Sequence, residues 1–562
     1  MNRNKLKYYP MHMHLHASCD RGASMALDMY NASKLGMNYI WFTDHDTRMG
    51  LMKNHIAKYS FGDGLFKTDE LGSEGFEKIN EQTDLVVNTH EKTLTINSAE
   101  ISDDWVSSGV YFTSSGKRHT FSLAGELALS VDLKEFSLKE NARLIFAVKL
   151  SQRPPEMKNA YMLYVIGDTD GLENEYNQVI PLNCTSGTIT FNLSRDVSEK
   201  ENIGGRDNAF DTLYIVLQTR NGTLASVKVG DFEIKRGVVC EELRQALQQA
   251  ADKAGELYNV KPFVSFEISG AGEHKNCFST SVPVIEYYKK NYQVSEIDAI
   301  EHVKKYDGIF TINHPFVTSR IKKISKEMGG LDEKTRNSMF DDMYNGYAGN
   351  NALGATLMEV GFPDGRRFGF DDYLKLWDML ALDGIFLSGY GANDCHANND
   401  GWFDGNNFVA YIGVDDVLTY PIDVKHFTDA MKKGRMYTGD PTALKGEVHF
   451  ETENGIQMGS VFVADETDSI KIKFSAENIK CGWKFRLVES GSVIENIAIN
   501  ETRFEHESML TLNERKVAFQ RAELYNEKGK CVLLTNPIYM VNKEFAIEHK
   551  KDERLAERRV DI

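Results

Sequence analysis

Residues 11–16 read Met-His-Met-His-Leu-His, and residues 39–46 read Tyr-Ile-Trp-Phe-Thr-Asp-His-Asp. The second stretch is a short apolar run that empties directly into Asp44-His45-Asp46. Between the two, Ala26 to Leu35 has helical spacing. Strand, helix and strand, with polar residues at the strand ends, is the grammar of a parallel βα fold, where binding groups collect at the carboxyl ends of the strands. In an extended strand residues i and i+2 point to one face, so an HxH pair can reach a single cation. The first stretch holds two such pairs, His12/His14 and His14/His16.

The same grammar returns far downstream. KPFVSFEIS carries Glu267 and is followed by His274, GIFTINHP ends in His314, TLMEVG ends near Glu359, and GIFLSGYGAND reaches Asp394 just before His396. Helices separate these strands. Val239, Leu243, Leu247, Ala250, Ala254 and Leu257 step by three and four, and Glu296–Lys305 and Asp371–Leu382 supply two more. Leaving aside TLMEVG, five apolar strands therefore end in a metal-ligand residue type. Neutral imidazoles and carboxylates suit Zn, Mn or Fe, and two or three metals can share a bridging carboxylate.

From about Leu85 to Lys235 the pattern changes to short runs of period two, as in Leu127, Leu129, Val131 and Leu133. This predicts a β-sandwich of jelly-roll type inserted into a mostly parallel α/β barrel. The expected boundaries are residues 1–87 for the first part of the barrel, 88–236 for the insertion, 237–440 for the second part and 441–562 for a C-terminal β-rich domain. Its tail, EHKKDERLAERRV, is charged enough to be read as a solvated helix.

The 562 residues are too many for one core, since cores stop growing at roughly 250–300 residues. A hydrophobic fraction of 41% with 26% charged residues is that of a globular protein. The 65 Lys and Arg against 82 Asp and Glu give a net charge of -17, which repels nucleic-acid polymers and anionic membranes. No apolar run is long enough to cross a membrane or to act as a secretory leader. Seven scattered cysteines without a CxxC pair fit a reducing cytoplasm, although a leader removed beforehand would leave the same sequence. No phosphate-binding glycine loop follows a strand, and no GxSxG elbow occurs, which argues against a nucleotide cofactor and a serine hydrolase.

Taken in order, HLHASCDRGASM, YIWFTDHD, FEISGAGEH, INHP and GANDCH resemble the motif series of the PHP (polymerase and histidinol phosphatase) superfamily, across residues 1–60 and 238–400. AMKKGRMYTGDP and the β-rich end are similar to its CehA/McbA-like branch. The resemblance implies a PHP-type distorted barrel. It makes His14, His16, His45, Glu267, His274, His314, Asp394 and His396 metal ligands, with Glu267 as a bridge. The downstream ASCDRG favours His14/His16 over His12/His14, leaving His12 as a neighbour at the mouth. Asp20 is a further candidate ligand, displaced by one place from the family pattern. Two to three divalent ions (Mn, Fe or Zn) are expected, with Glu267, His314, Asp394 and Arg435 as catalytic candidates. The implied activity is hydrolysis of a small-molecule ester by a metal-activated water. A phosphoester leads, a carboxylic or carbamate ester is the alternative, and a carbohydrate-binding protein with a vestigial metal site is the non-enzymatic reading.

Further residues carry two readings each. Asp44 either holds a ligand imidazole or caps a helix, and Glu359 either supports the site or pairs at the surface. Arg366, Arg367 and Arg435 are candidate anion clamps, Arg435 foremost. Trp402 and Phe403 either line a pocket or pack a loop. His90, His119, His302, His426 and His449 lack strand-end positions and read as structural.

Overall fold

The first strand, β1 (Leu6–Leu15), pairs in parallel with β2 (Tyr39–Phe42), which pairs in parallel with Lys261–Val264. These observations come from a computed structural model that describes residues 5–562 except 21–23, 51–55, 63–64, 69–71, 99–100, 114–120, 138, 156–157, 200–204, 288–293, 362–366, 393, 397–401 and 404–407. After Ser265 the chain enters a second sheet, ordered Phe266–Ile268, Lys275–Phe278, Ile309–Ile312, Leu357–Glu359 and Ser388–Tyr390. Its last three strands are parallel. Isolated parallel bridges His45↔Glu267 and Leu15↔Cys395 tie the two sheets together where the ligand-type residues lie.

Apart from the starts of β1 and of Lys261–Val264, these strands are buried because both faces are covered, as parallel sheets require. Met11, Met13, Tyr39, Trp41, Phe263, Phe278, Ile309, Leu357 and Tyr390 form one buried cluster. Leu15, Ile40, Phe42 and Val264 belong to a second one, with α1 (Met25–Lys34) and the helix Cys240–Glu256. The Cys240–Glu256 helix buries Leu243, Leu247, Ala250 and Ala254 of the expected stripe, whereas Leu257, just past its end, is exposed. Ser24 caps α1 by accepting from Leu27 N. Among the described residues no helix is long and apolar enough to cross a membrane.

The period-two region forms sandwich-like sheets within a 14-stranded hydrogen-bonded network around its own core of Leu129, Val131, Phe146, Val148, Phe191 and Ile215. It begins earlier than residue 88. Strand β3 (Ile56–Gly62) pairs with Ser226–Arg236, Ile56 opposite Lys235, and Leu65–Thr68 and Gly72–Lys78 follow in the same network. The Gly- and Asp-rich text of this stretch hides its alternation.

The C-terminal part is divided between a three-stranded sheet of its own (Val448–Thr452, Ser469–Glu477, Arg503–Thr511) and the sheet that holds β1. Val409–Asp415 runs antiparallel to β1 and hands on to Met436–Gly439, Cys531–Thr535, Val517–Tyr525, Ile538–Asn542 and Val461–Ala464 within one 12-stranded sheet. The tail departs from a solvated helix as well. Short helices Lys543–Glu548 and Glu553–Arg558 lead to a strand, Arg559–Asp561, that pairs with Val461–Ala464, and Arg554 and Arg558 are buried. Arg554 donates to Ala355 O and Arg558 to Lys432 O, so the charges serve as internal donors to backbone carbonyls.

Candidate metal centre

A register shift in β1 between His12 and Leu15 decides where its histidines point. A bulge of this kind re-aims the side chains after it. His12, before the shift, is not at the mouth. It is fully buried against Trp402, ring centroids 5.0 Å apart, and Trp402 Nε1 donates to Asp28 Oδ1 of α1. His14, inside the shifted stretch, and His16, beyond it, enter the polar cluster, with their Nε2 atoms 3.1 Å apart.

Around that pair the imidazoles share one arrangement. His14 Nδ1 lies 2.6 Å from Glu359 Oε1, His16 Nδ1 3.0 Å from Asp20 Oδ2, and His45 Nδ1 2.8 Å from Asp20 Oδ1. The opposite nitrogens converge on two carboxylates. His45 Nε2 is 3.0 Å from Glu267 Oε2, His16 Nε2 3.0 Å and His14 Nε2 3.3 Å from Asp394 Oδ1, and His314 Nε2 3.6 Å from Glu267 Oε1. His274 Nδ1 stands 3.1 Å from Glu267 Oε1, and His396 Nδ1 3.1 Å from Asp394 Oδ1, with its ring stacked on His16 at 4.0 Å. Every ligand expected from the sequence is thus in one cluster. Asp20 and Glu359 occupy its outer side, facing Nδ1 atoms.

The cluster gathers donor atoms that could hold a metal ion. Five overlapping groups of three residues bring His, Asp and Glu donor atoms within 4.8 Å of one another. Glu267 Oε2 and Asp394 Oδ1 are buried, each with an imidazole nitrogen 3.0 Å away, from His45 and His16 respectively. Burial alone would raise the Glu267 carboxyl, but the imidazoles of His45, His274 and His14 hold it well below the usual range. Burial likewise opposes the Asp394 shift, yet His14, His16 and His396 bring it down. Burial would lower His314, but Glu267, Glu359 and Asp394 push it up to about 9. His396 goes the other way, to about 4, through burial and the neighbouring His16. Backbone strain marks the same place: His314 (φ 22) and Asp394 (φ 50) are non-glycine residues with positive φ, a conformation that costs about 1–3 kcal/mol each.

The surroundings settle the open readings. Asp44 caps no helix; its carboxylate accepts from Ala17 N (2.6 Å) and Cys19 N (3.4 Å), fixing the loop that carries Asp20. Burial and the nearby Asp20 push Asp44 up to about 7. Glu359 also accepts from His314 N at 2.5 Å and Tyr390 OH at 3.0 Å. Trp402 packs inward, whereas Phe403 is exposed.

Arg435 is not at the site. It precedes Met436–Gly439, which runs parallel to β1, so it lies at the starting end of β1, where Gly413 pairs with Tyr8 and donates its N–H to Arg435 O. From Tyr8 to His14 is roughly 20 Å at about 3.3 Å per residue. Arg48 stands in the place expected of it, its Nε 3.4 Å from Asp20 Oδ1 and its side chain 25% exposed. The signal was in DHDTRMG, where Arg48 is one helical turn from His45. Asn313, which donates to Glu267 Oε1 at 2.6 Å, was also missed. Arg366 and His119 lie outside the described residues. His302 and His449 engage Pro283 O and Glu447, away from the cluster.

No protein-family model and no curated protein matches the chain. Among solved structures it is similar to a cellulase derived from Cel12A of Rhodothermus marinus, at 9% identity over 32% of this chain and 93% of that one, with a TM-score of 0.21. It is similar to the catalytic domain of Humicola grisea Cel12A at 11% identity over 32% and 95%, TM-score 0.22. A family 11 carbohydrate-binding module from Clostridium thermocellum gives 12% identity over 33% and 98%, TM-score 0.20. Likeness at this level carries no argument about fold or function.

Proposed function

We propose that the chain is a metal-dependent hydrolase on a PHP-type distorted barrel, of the CehA/McbA-like branch, acting on a small-molecule phosphoester in the cytoplasm. One observation carries this reading. Nε2 atoms of four histidines surround the carboxylates of Glu267 and Asp394, while Asp20 and Glu359 hold the opposite nitrogens of three of them. Paired carboxylate and imidazole of this kind fix the tautomer and raise the basicity of a ligand nitrogen.

His14, His16, His45, His274, His314, His396, Glu267 and Asp394 would hold two to three ions of Mn, Fe or Zn, with Glu267 between them. Such ions, when bound, lower the pKa of a water and polarise the scissile bond. The protein's own part is orientation. Asn313 keeps one oxygen of Glu267 turned toward His274 and His314, and the Glu359–Tyr390 contact locks His14. Arg48 places a cation beside the centre, suited to an anionic ester oxygen.

The test is turnover by metal-loaded protein against phosphomonoesters, phosphodiesters and carboxylic esters. Phosphoester hydrolysis abolished by His14→Ala/His16→Ala is the expected result. Turnover of carboxylic or carbamate esters alone would move the substrate class, and no turnover of any ester by protein with full metal content would overturn the hydrolase reading.

A further inference from the structure

The run AMKKGRMYTGDP leaves Lys433 and Arg435 at the end of the strands opposite the histidine cluster, where neither serves the proposed reaction. They line a cavity of about 430 Å³, together with Arg558 and Arg559 and against the carboxylates of Asp415 and Glu557. Arg559 is engaged by Asp561 at 2.9 Å. Among the described residues Lys433 and Arg435 form no side-chain ion pair or hydrogen bond, although both are only half-buried.

Behind them stands a buried cation. Arg558 is 3% exposed, and its Nη1 has no hydrogen-bond partner among the described residues. Nε donates to Lys432 O (2.9 Å) and Nη2 to Ser388 Oγ (2.7 Å), so neither partner is a carboxylate. Burial pushes the guanidinium down to about 10, against the weaker pull of Tyr539, Asp552 and Glu557. Its position depends on two glycines of positive φ. A Cβ on Gly434 would come within 3.0 Å of Arg558 Nη1, and one on Gly459 within 2.2 Å of Lys433 O. Taking a charge out of water is expensive unless an opposite charge joins it.

We infer that this cavity binds a dianionic phosphate group, free or carried on a small molecule, gripped by Lys433 and Arg435 with Arg558 behind them. A guanidinium fork matches phosphate oxygens two at a time, and the ammonium adds a mobile point charge. In a chain of net charge -17 such an anion is otherwise repelled, so cations facing one cavity without partners make it selective by location. The site is independent of the hydrolase reading, since none of its residues touches the histidine cluster.

Calorimetric titration of the full-length protein with inorganic phosphate and, in parallel, glycerol phosphate tests this. Saturable binding is expected, weakened at least about tenfold in Lys433→Ala/Arg435→Ala and less in Arg435→Lys. His14→Ala/His16→Ala should leave it unchanged. Tighter binding of the ester identifies an ester-borne phosphate, and equal binding the phosphate alone. The lysine and arginine stems make no hydrogen bonds, so the double variant should melt like the parent protein. Absence of saturable binding, unchanged affinity in the double variant, or loss confined to the histidine variant would each overturn the inference.

Discussion

Asp20 Oδ1 stands 2.8 Å from Nδ1 of His45, and the other oxygen of the same carboxylate stands 3.0 Å from Nδ1 of His16. One carboxylate thus orients two imidazoles from outside. Burial alone would raise its pKa, but His45 and His16 hold it well below the usual range. Asp20→Ala should therefore weaken metal binding about 10–100-fold at unchanged stoichiometry, read by competition with a chelator. Loss of one whole ion with the others held as tightly as before would make Asp20 a ligand instead.

Glu267 and Glu359 separate on the same logic. Purified protein is expected to hold two to three ions, because a set of this many N and O donors exceeds what one tetrahedral ion can use. Glu267→Gln should lower that number, as a neutral amide cannot offset two neighbouring cations. Glu359→Gln should keep the ions and lose less activity, since Glu359 meets His14 through Nδ1. Elemental analysis beside kcat decides between them, and the reverse order of damage would place Glu359 among the ligands.

How far the sequence could be read depended on whether a feature is local. Strand-end chemistry is local, so His45, Glu267, His314 and Asp394 were legible one strand at a time. Whether His12 or His16 joins His14 turns on the register shift of β1 against β2, which period-two reasoning cannot see. Arg435 was misplaced because it precedes Met436–Gly439, a strand that runs parallel to β1, and so lies at the end of the sheet opposite the carboxyl ends where the ligand-type residues gather. The early sandwich strands were hidden by a stretch whose pairing partner, Ser226–Arg236, lies more than 160 residues on, since Ile56 meets Lys235.

Asp28 offers a test away from the ligands. It is 2% exposed, Oδ1 accepts from Trp402 Nε1, and Oδ2 has no partner among the described residues. Burial pushes its carboxyl well above the usual range, so the folded state binds its proton more tightly than the unfolded state does. Stability is then lost as pH rises above the unfolded value of about 3.9 and on through the folded one. Asp28→Asn keeps an acceptor for Trp402 and removes the charge. Its Tm should exceed that of the parent by a few degrees at about pH 7.5 and converge with it toward about pH 4. A constant offset across that range would mean that packing, not ionisation, sets the difference.

The insertion gives the last prediction. Ile56 pairs with Lys235, so the two ends of the sandwich are neighbours, the geometry that lets an inserted unit be removed. A chain with residues 56–235 replaced by a short Gly/Ser linker should fold and keep its metal, because no residue of the histidine cluster lies within that range. The cut at 88–236 should fail, since it takes Ser226–Arg236 from β3 and Val106–Thr113 from Gly72–Lys78 and leaves those two strands paired only with Leu65–Thr68. Some stability will still be lost. Asp207 of the sandwich accepts from Met25 N and Ala26 N at the start of α1, and Ser122 Oγ lies 3.1 Å from Ser18 Oγ in the loop that carries Asp20. Orphaned N–H groups in the first turn cost about 0.5–2 kcal/mol, the size of a lost helix cap. The shortened protein is thus expected to melt lower while binding metal with the parent's stoichiometry. A folded, metal-free product would show that the sandwich holds the Asp20 loop, and through it His16 and His45, in place.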